Sequence, residues 1–176
     1  MKGLKNHIFS LVCILFLPGI NLSGQIATAT ATGDVFAEII PVFSATQTSQ
    51  MNFGKFSPGI QGGEIILSPL NTISVLGSVN KGTGIHNAAS FYVSGDMDAT
   101  FSISLPDDPV VITNISSSKT MVVENWKSIP SAGIGTGLLQ NGSQTVYVGA
   151  TLKVSTLYDN PVGIYKGSYT ITFDFN

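Results

Sequence analysis

The stretch Asn160–Asn176, NPVGIYKGSYTITFDFN, decides the fold class. Within it Tyr169, Ile171, Phe173 and Phe175 alternate with Thr170, Thr172 and Asp174. A period of two puts the apolar side chains on one face and the polar ones on the other, the mark of a half-buried strand. Asn160-Pro161 and Gly163 precede it as turn chemistry; Pro161 lacks an amide donor and is excluded from a central ladder. Burial of four such side chains contributes about 6–12 kcal/mol before entropy is charged, at roughly 1.5–3 each. The terminus is therefore expected to hold as a core strand instead of fraying.

Upstream, the same chemistry repeats. Residues Ile26–Phe43, IATATATGDVFAEIIPVF, carry Ala27, Ala29, Ala31, Val35, Ala37 and Ile39 at odd positions, and are expected to form a first strand that bends at Gly33-Asp34. Turn residues crowd MNFGKFSPGIQGG, and Glu64–Ser68 with Thr72–Gly77 reads as a hairpin around Pro69-Leu70-Asn71. Ala89–Gly95 and Ala99–Pro106 read as a second hairpin, turning at Gly95–Asp98. Pro109–Ile115 and Lys119–Lys127 follow, joined by three serines, and Ser128–Gly137 is expected to be a loop. Asn141-Gly142 marks a tight turn before the strand Ser143–Ser155. Glu, Lys and Arg are too few to build surface helices. The pattern is all-β: about nine or ten short strands at roughly ten-residue spacing, as in an antiparallel β-sandwich, with a closed barrel as the competing architecture. No linker or strict repeat divides residues 25–176, which read as one domain.

Residues 1–24 read as a cleaved signal peptide: Lys2 and Lys5, the apolar run Ile8–Leu17, then Pro18-Gly19 and small residues around Gly24. The apolar run is too short to span a bilayer comfortably, and the alternative to a cleaved signal is an uncleaved anchor. Cys13, the only cysteine, lies inside that run, so the exported chain would have no disulfide and would rely on core burial and sheet hydrogen bonds. All eight basic residues are lysines. Loss of Lys2 and Lys5 leaves six lysines against ten carboxylates, a balance of −4. With no arginine and a negative balance, nucleic acid is not an expected partner, and the exported chain has no expected membrane span.

Five pieces occur together in order: MNFGKFSPG, GGEIILSP, ASFYVSGDMDATFSISLP, VYVGATLKVS and NPVGIYKGSYTITFDFN. This ordered set, covering nearly all of the expected exported chain, resembles the exported bacterial proteins of the Domain of Unknown Function 4402 family. The resemblance extends, more distantly, to fimbrial subunits with an immunoglobulin-like sandwich. It implies that fold and a structural or adhesive role at the bacterial surface, with like subunits or a periplasmic chaperone as partners. Subunits of the chaperone–usher route often end in an alternating strand with a penultimate aromatic and a glycine fourteen positions from the end. Phe175 is penultimate here, and Gly163 is fourteenth counting Asn176 as first. The resemblance thus marks Gly163, Tyr169, Ile171, Phe173 and Phe175 as a candidate assembly strand. Two features depart from that pattern: the pilin disulfide is absent, and IATATAT lacks the bulky side chains with which a donor strand fills a groove.

Signs of catalysis are sparse. After Gly24 the only histidine is His86, in the loop KGTGIHNAAS, without a partner motif. There is no G-x-S-x-G elbow, no His/Cys cluster for zinc, and no glycine-rich phosphate loop. Asp96 with Asp98, and Asp107-Asp108, are too few oxygens for calcium and read as turn chemistry. Neither catalytic residues, metal nor cofactor is expected, and the chain does not read as an enzyme. Trp126, the single tryptophan, is the candidate ligand contact, suited to stacking on a sugar or to a core edge. The function expected is an exported structural or adhesive surface subunit joining by strand addition. The alternative is a monomeric secreted or periplasmic module binding glycan or protein.

Overall fold

A computed structural model describes residues 27–39 and 42–176. The expected signal peptide and Ile26 lie outside the described residues. The chain divides into two units, Met1–Glu38 and Ile39–Asn176. In the first, residues 27–38 carry no secondary structure, so the strand expected from Ile26 does not form there. The reason lies in its face: alanine methyls bury too little apolar area to offset the entropy of ordering the backbone.

The described residues of the second unit hold eleven strands and no helix. These are β1 (Ser44–Ser49), β2 (Phe56–Leu67), β3 (Ile73–Lys81), β4 (Ala89–Ser94), β5 (Thr100–Ser104) and β6 (Val110–Asn114). Then come β7 (Thr120–Ile129), β8 (Gly133–Leu138), β9 (Ser143–Val154), β10 (Tyr165–Lys166) and β11 (Thr172–Phe175). Every pairing is antiparallel. One sheet runs β1-β4-β9-β7-β6-β10 and carries β2 and β3 as a branch; the other is β11-β5-β8. The fold is an all-β antiparallel sandwich, as the alternation requires, with one strand more than the upper sequence count.

β9 organises it. Val148 pairs with Ala89 of β4 and with Ser128 of β7, whereas Lys153 pairs with Glu64 of β2 and with Val122 of β7. β4 and β2 therefore share one edge of β9 in succession, and β7 takes the other. Gly149 marks the changeover, where a Cβ would collide with the backbone of Leu67 and Ser68. On the outer face Lys153 bridges Glu64 and Glu124, with Nζ 3.2 Å from the Glu124 Oε1. The hydrogen bonds it donates to both carboxylates, Glu64 first, hold its ammonium pKa above the usual lysine range.

The inward side chains of β9 feed two clusters. Val146 and Val148 join Ala89, Val93, Phe101, Ile103 and Leu139 between the two sheets. Ala150, Leu152 and Val154 join Ile65, Val79, Met121 and Val123. No strand of the three-stranded sheet contributes to the second cluster; Met51, Phe53, Phe56, Trp126 and Tyr165 pack over it instead.

Several expectations are corrected. Ala89–Gly95 and Ala99–Pro106 are not a hairpin: β4 lies in the large sheet and β5 in the small one. The connecting residues bond elsewhere, Gly95 N donating to Gly142 O at 3.0 Å and Asp98 N to Leu139 O at 2.9 Å. The glycine-rich stretch after Met51 is mostly strand. β2 begins at Phe56 and is bulged between Pro58 and Gly62, and Gly62 (φ +69) supplies the left-handed residue that the bulge uses. Ser128–Gly137 is not a loop either, because β8 runs through it on β5. Gly137 is required there because the Phe101 ring occupies the space of its Cβ. The β2–β3 hairpin and the Asn141-Gly142 turn (φ 53 and 82) form as expected, and the two strands on either side of the three serines pair with each other as β6 and β7.

Candidate functional site

The carboxy-terminal segment is fastened before it reaches its strand. Asn160, 3% exposed, accepts from Ser155 N at 2.6 Å and donates from Nδ2 to Thr120 O at 2.8 Å. The Tyr165 hydroxyl donates to Pro161 O at 2.9 Å, and β10 pairs with β6 through Tyr165↔Asn114. Gly163 sits against the Asn114 amide, which a Cβ at this position would strike. Gly163 thus serves the loop that pins the tail, and it lies outside the terminal ladder.

That ladder is shorter than the alternation predicts. It covers Thr172–Phe175, paired with Ser104–Phe101 of β5, so Tyr169 and Ile171 precede it. The expected face nevertheless forms: Tyr169, Ile171 and Phe173 pack on the cluster between the sheets. Phe173 lies 5.8 Å from Phe91 and 6.0 Å from Phe101, ring centre to ring centre. Phe175 leans on Phe43 at 5.6 Å but stays 47% exposed.

Among the described residues β11 has one strand neighbour, and its other edge is unpaired. Asn176 N donates to Thr100 O at 3.2 Å. With backbone direction alternating along a strand, the even residues face β5, and Ile171, Phe173 and Phe175 turn their amides and carbonyls to the open edge. Among the described residues, Gly167–Ile171 makes no backbone–backbone hydrogen bond outside the ladders.

Tyr169 stacks on Trp126 at 4.7 Å and 39°. Trp126 follows Asn125 (φ 53) at the bulge of β7, and its ring packs against both core clusters. Trp126 Nε1 and the Tyr169 hydroxyl are buried with no hydrogen-bond partner among the described residues. Burial pushes the Tyr169 phenol up to about 12.

This pair walls a groove of about 1280 Å³ that lies over the second core cluster. Its floor includes Ile112, Met121 and Leu152, and its sides include Phe53, Phe56 and Tyr165. The charged residues lining it are Lys55 and Lys166, with no carboxylate. A smaller cleft of about 660 Å³ shares the Trp126 wall and carries Asp107, Asp108 and Glu124.

The other residues considered for chemistry stand apart. His86 Nε2 lies 3.2 Å from Asn71 O, and no acidic partner is bonded to it. Asp96 and Asp98 form the turn, with Ala99 N donating to Asp96 O at 3.3 Å. Among the described residues no group of three or more His, Cys, Asp or Glu is placed to hold a metal ion. Lys55, Phe53, Phe56, Tyr165 and Lys166 carry no sequence motif. Their grouping follows from the route of the 157–169 segment, which Asn160 fixes.

No curated protein and no solved structure is detectably similar to the chain. The family described as "Domain of unknown function (DUF4402)" matches residues 43–175, from the residue before β1 to the last residue of β11, and the chain belongs to that family.

Proposed function

We propose that the protein is an exported structural or adhesive subunit of the bacterial surface that joins other subunits by strand addition. The observation that carries this reading is the open edge of β11, continued by the unpaired backbone of Gly167–Ile171 beside an aromatic groove. Exposed backbone donors and acceptors are a template for a further strand, and adjacent pockets select its side chains. The leader-like residues 1–24 support export. Protein recovered after export is expected to form linear oligomers, seen by light scattering after size exclusion and by electron microscopy. A monodisperse monomer at high concentration, with the β11 amides protected from exchange, would refute the proposal.

A second reading rests on the walls of the same groove. Trp126, Tyr165 and Tyr169 offer aromatic surface suited to a glycan chain. It requires a glycan-array signal that Trp126→Ala abolishes; a blank array for the wild-type protein removes it.

A further inference from the structure

The outer face of the large sheet carries a surface separate from the groove. In β9, Val146 and Val148 point into the core, so Ser143, Thr145 and Tyr147 face outward. In β4, Ala89 and Val93 are buried, so Ser90, Tyr92 and Ser94 face outward. The register sets these side chains in rows. Ser44, Ser94 and Ser143 form the first, Thr46, Tyr92 and Thr145 the second, and Ser90, Tyr147 and Ile129 the third. Ser44 Oγ lies 3.0 Å from Ser94 Oγ, and the Thr48 hydroxyl reaches Ser90 Oγ at 2.7 Å.

Tyr92 is 45% exposed, and so is Tyr147 at 46%, although β9 has strand partners on both sides. Among the described residues neither ring stacks on another aromatic side chain. Tyr92, Tyr147 and Ile129 make an apolar stripe across β4, β9 and β7, about 10 Å wide at two inter-strand spacings. The hydroxyls of Thr46, Ser90 and Thr145 flank it. No charged side chain stands in the three rows. Along the β7–β9 ladder the first charge is Lys127, opposite Gly149, followed by the Lys153 bridge to Glu64 and Glu124. No residue of the rows lines either cavity described above.

The chemistry of this face selects its partner. Its four serines argue against a second protein, because serine is depleted at protein–protein interfaces. The lack of charge leaves nothing to pair with a phosphate, a carboxylate or an amine. Tyrosine rings set among hydroxyls match a sugar polymer. The C–H face of a pyranose ring packs on a tyrosine, while its hydroxyls exchange hydrogen bonds with Ser, Thr and Tyr. An open face takes a chain, whereas a single small ligand is held in a concave pocket. We infer that the outer face of β1, β4 and β9 binds an uncharged polysaccharide laid along Tyr92, Tyr147 and Ile129. This gives the protein an adhesive surface that rests neither on strand addition nor on the groove.

The test is sedimentation of the exported protein with insoluble cellulose, chitin and β-1,3-glucan, with alginate beads as the acidic comparison. At least one neutral polymer should retain the wild-type protein, and Tyr92→Ala/Tyr147→Ala should weaken that retention at least tenfold. Salt at about 1 M, where the screening length falls to about 3 Å, should not release it. Thr46→Arg, at an exposed position on the edge strand β1, should weaken retention several-fold with an unchanged melting temperature, which separates loss of binding from loss of fold. Ile134→Ser, equally superficial but on the three-stranded sheet, should retain it in full. Failure of all three neutral polymers to hold the wild-type protein would overturn the inference, as would retention by alginate alone that salt reverses. Retention lost in Trp126→Ala but kept in the tyrosine variant would put the glycan in the groove and overturn the assignment to this face. Sedimentation reads monomers and oligomers alike, so any of these failures leaves strand addition standing.

Discussion

Phe173 and Phe175 occupy the same face of β11 two residues apart, yet they differ in what they touch. Phe173 packs into the cluster between the sheets, with Phe91 and Phe101 as ring neighbours. Phe175 is 47% exposed and leans on Phe43. Phe→Ala in a well-packed core costs about 3–5 kcal/mol; Phe173 is only partly buried, which places Phe173→Ala near the low end, at about 3 kcal/mol. For Phe175, about half of the roughly 1.5–3 kcal/mol transfer value applies. Phe175→Ala is therefore expected to cost about 0.8–1.5 kcal/mol. With a urea m-value of about 2 kcal/mol/M, the midpoints should fall by about 1.5 M and 0.6 M respectively. Removing Phe173–Asn176 deletes three of the four ladder pairs together with the Asn176 bond from Ser102 Oγ at 2.9 Å. Against a total stability of about 5–15 kcal/mol, that loss should leave little folded protein at 37 °C. Equal midpoint shifts for the two alanine variants, or the reverse order, would refute the packing argument. An unchanged melting temperature after truncation would refute the role of β11 altogether.

Gly137→Ala is expected to cost about 1–3 kcal/mol by overpacking against Phe101, whereas Gly33→Ala, with nothing nearby, should be silent in the same thermal melts. Asn160→Ala removes both hydrogen bonds of a buried side chain, to Ser155 N and Thr120 O, so about 1–3 kcal/mol should be lost in urea titration, at roughly 0.5–1.5 per bond. The Tyr169 phenol is raised from 10.0 to about 12 by burial, so below pH 10 the fold bears no ionisation penalty at this group and its stability does not depend on pH there. Stability falls between pH 10 and 12, as the unfolded phenol ionises first. Tyr169→Phe should flatten the stability loss across this window. At pH 7 it should be neutral or stabilising, because the hydroxyl has no partner.

Strand alternation was legible wherever one face meets core and the other meets solvent. That condition holds in β11, in the first half of β9 and in β2, β3, β6 and β7, and all were visible as strands. It fails in β5, where Phe101, Ser102 and Ile103 are all buried. Its sequence could be read as a strand, but the neighbour it pairs with could not. Gly95–Asp98 has hairpin chemistry, and only the long-range bonds to Leu139 and Gly142 reveal a corner between sheets. Glycine misled in the opposite direction. Gly62 and Gly137 look like loop markers, but one makes a bulge and the other makes room for a ring. For the site, the sequence indicated Tyr169, Ile171, Phe173 and Trp126 as residues of interest. It did not indicate that Trp126 and Tyr169 touch, nor that Lys55 and Lys166 share a groove, because those contacts depend on where Asn160 fixes the chain.

The two core clusters explain why the groove lies where it does. Between the sheets, β9 presents Val146 and Val148 to a layer that covers them, and the aromatic residues of β11 help to close it. Past Gly149, the same strand presents Ala150, Leu152 and Val154 where the three-stranded sheet does not reach. A sheet face needs a covering layer to bury its apolar side. Here the cover is assembled from Phe53, Phe56, Trp126 and Tyr165, side chains projected from segments that do not form a second ladder over it. Such a cover leaves gaps, and the gap runs along Gly167–Tyr169, where the backbone also lacks partners. Apolar area and backbone polar groups are thus left unsatisfied at the same place. A single added strand would satisfy both; a small apolar ligand would fill the groove but leave the amides and carbonyls unmatched. This double deficit favours a polypeptide occupant over a glycan, and it makes amide exchange at Ile171, Phe173 and Phe175 the measurement that separates them.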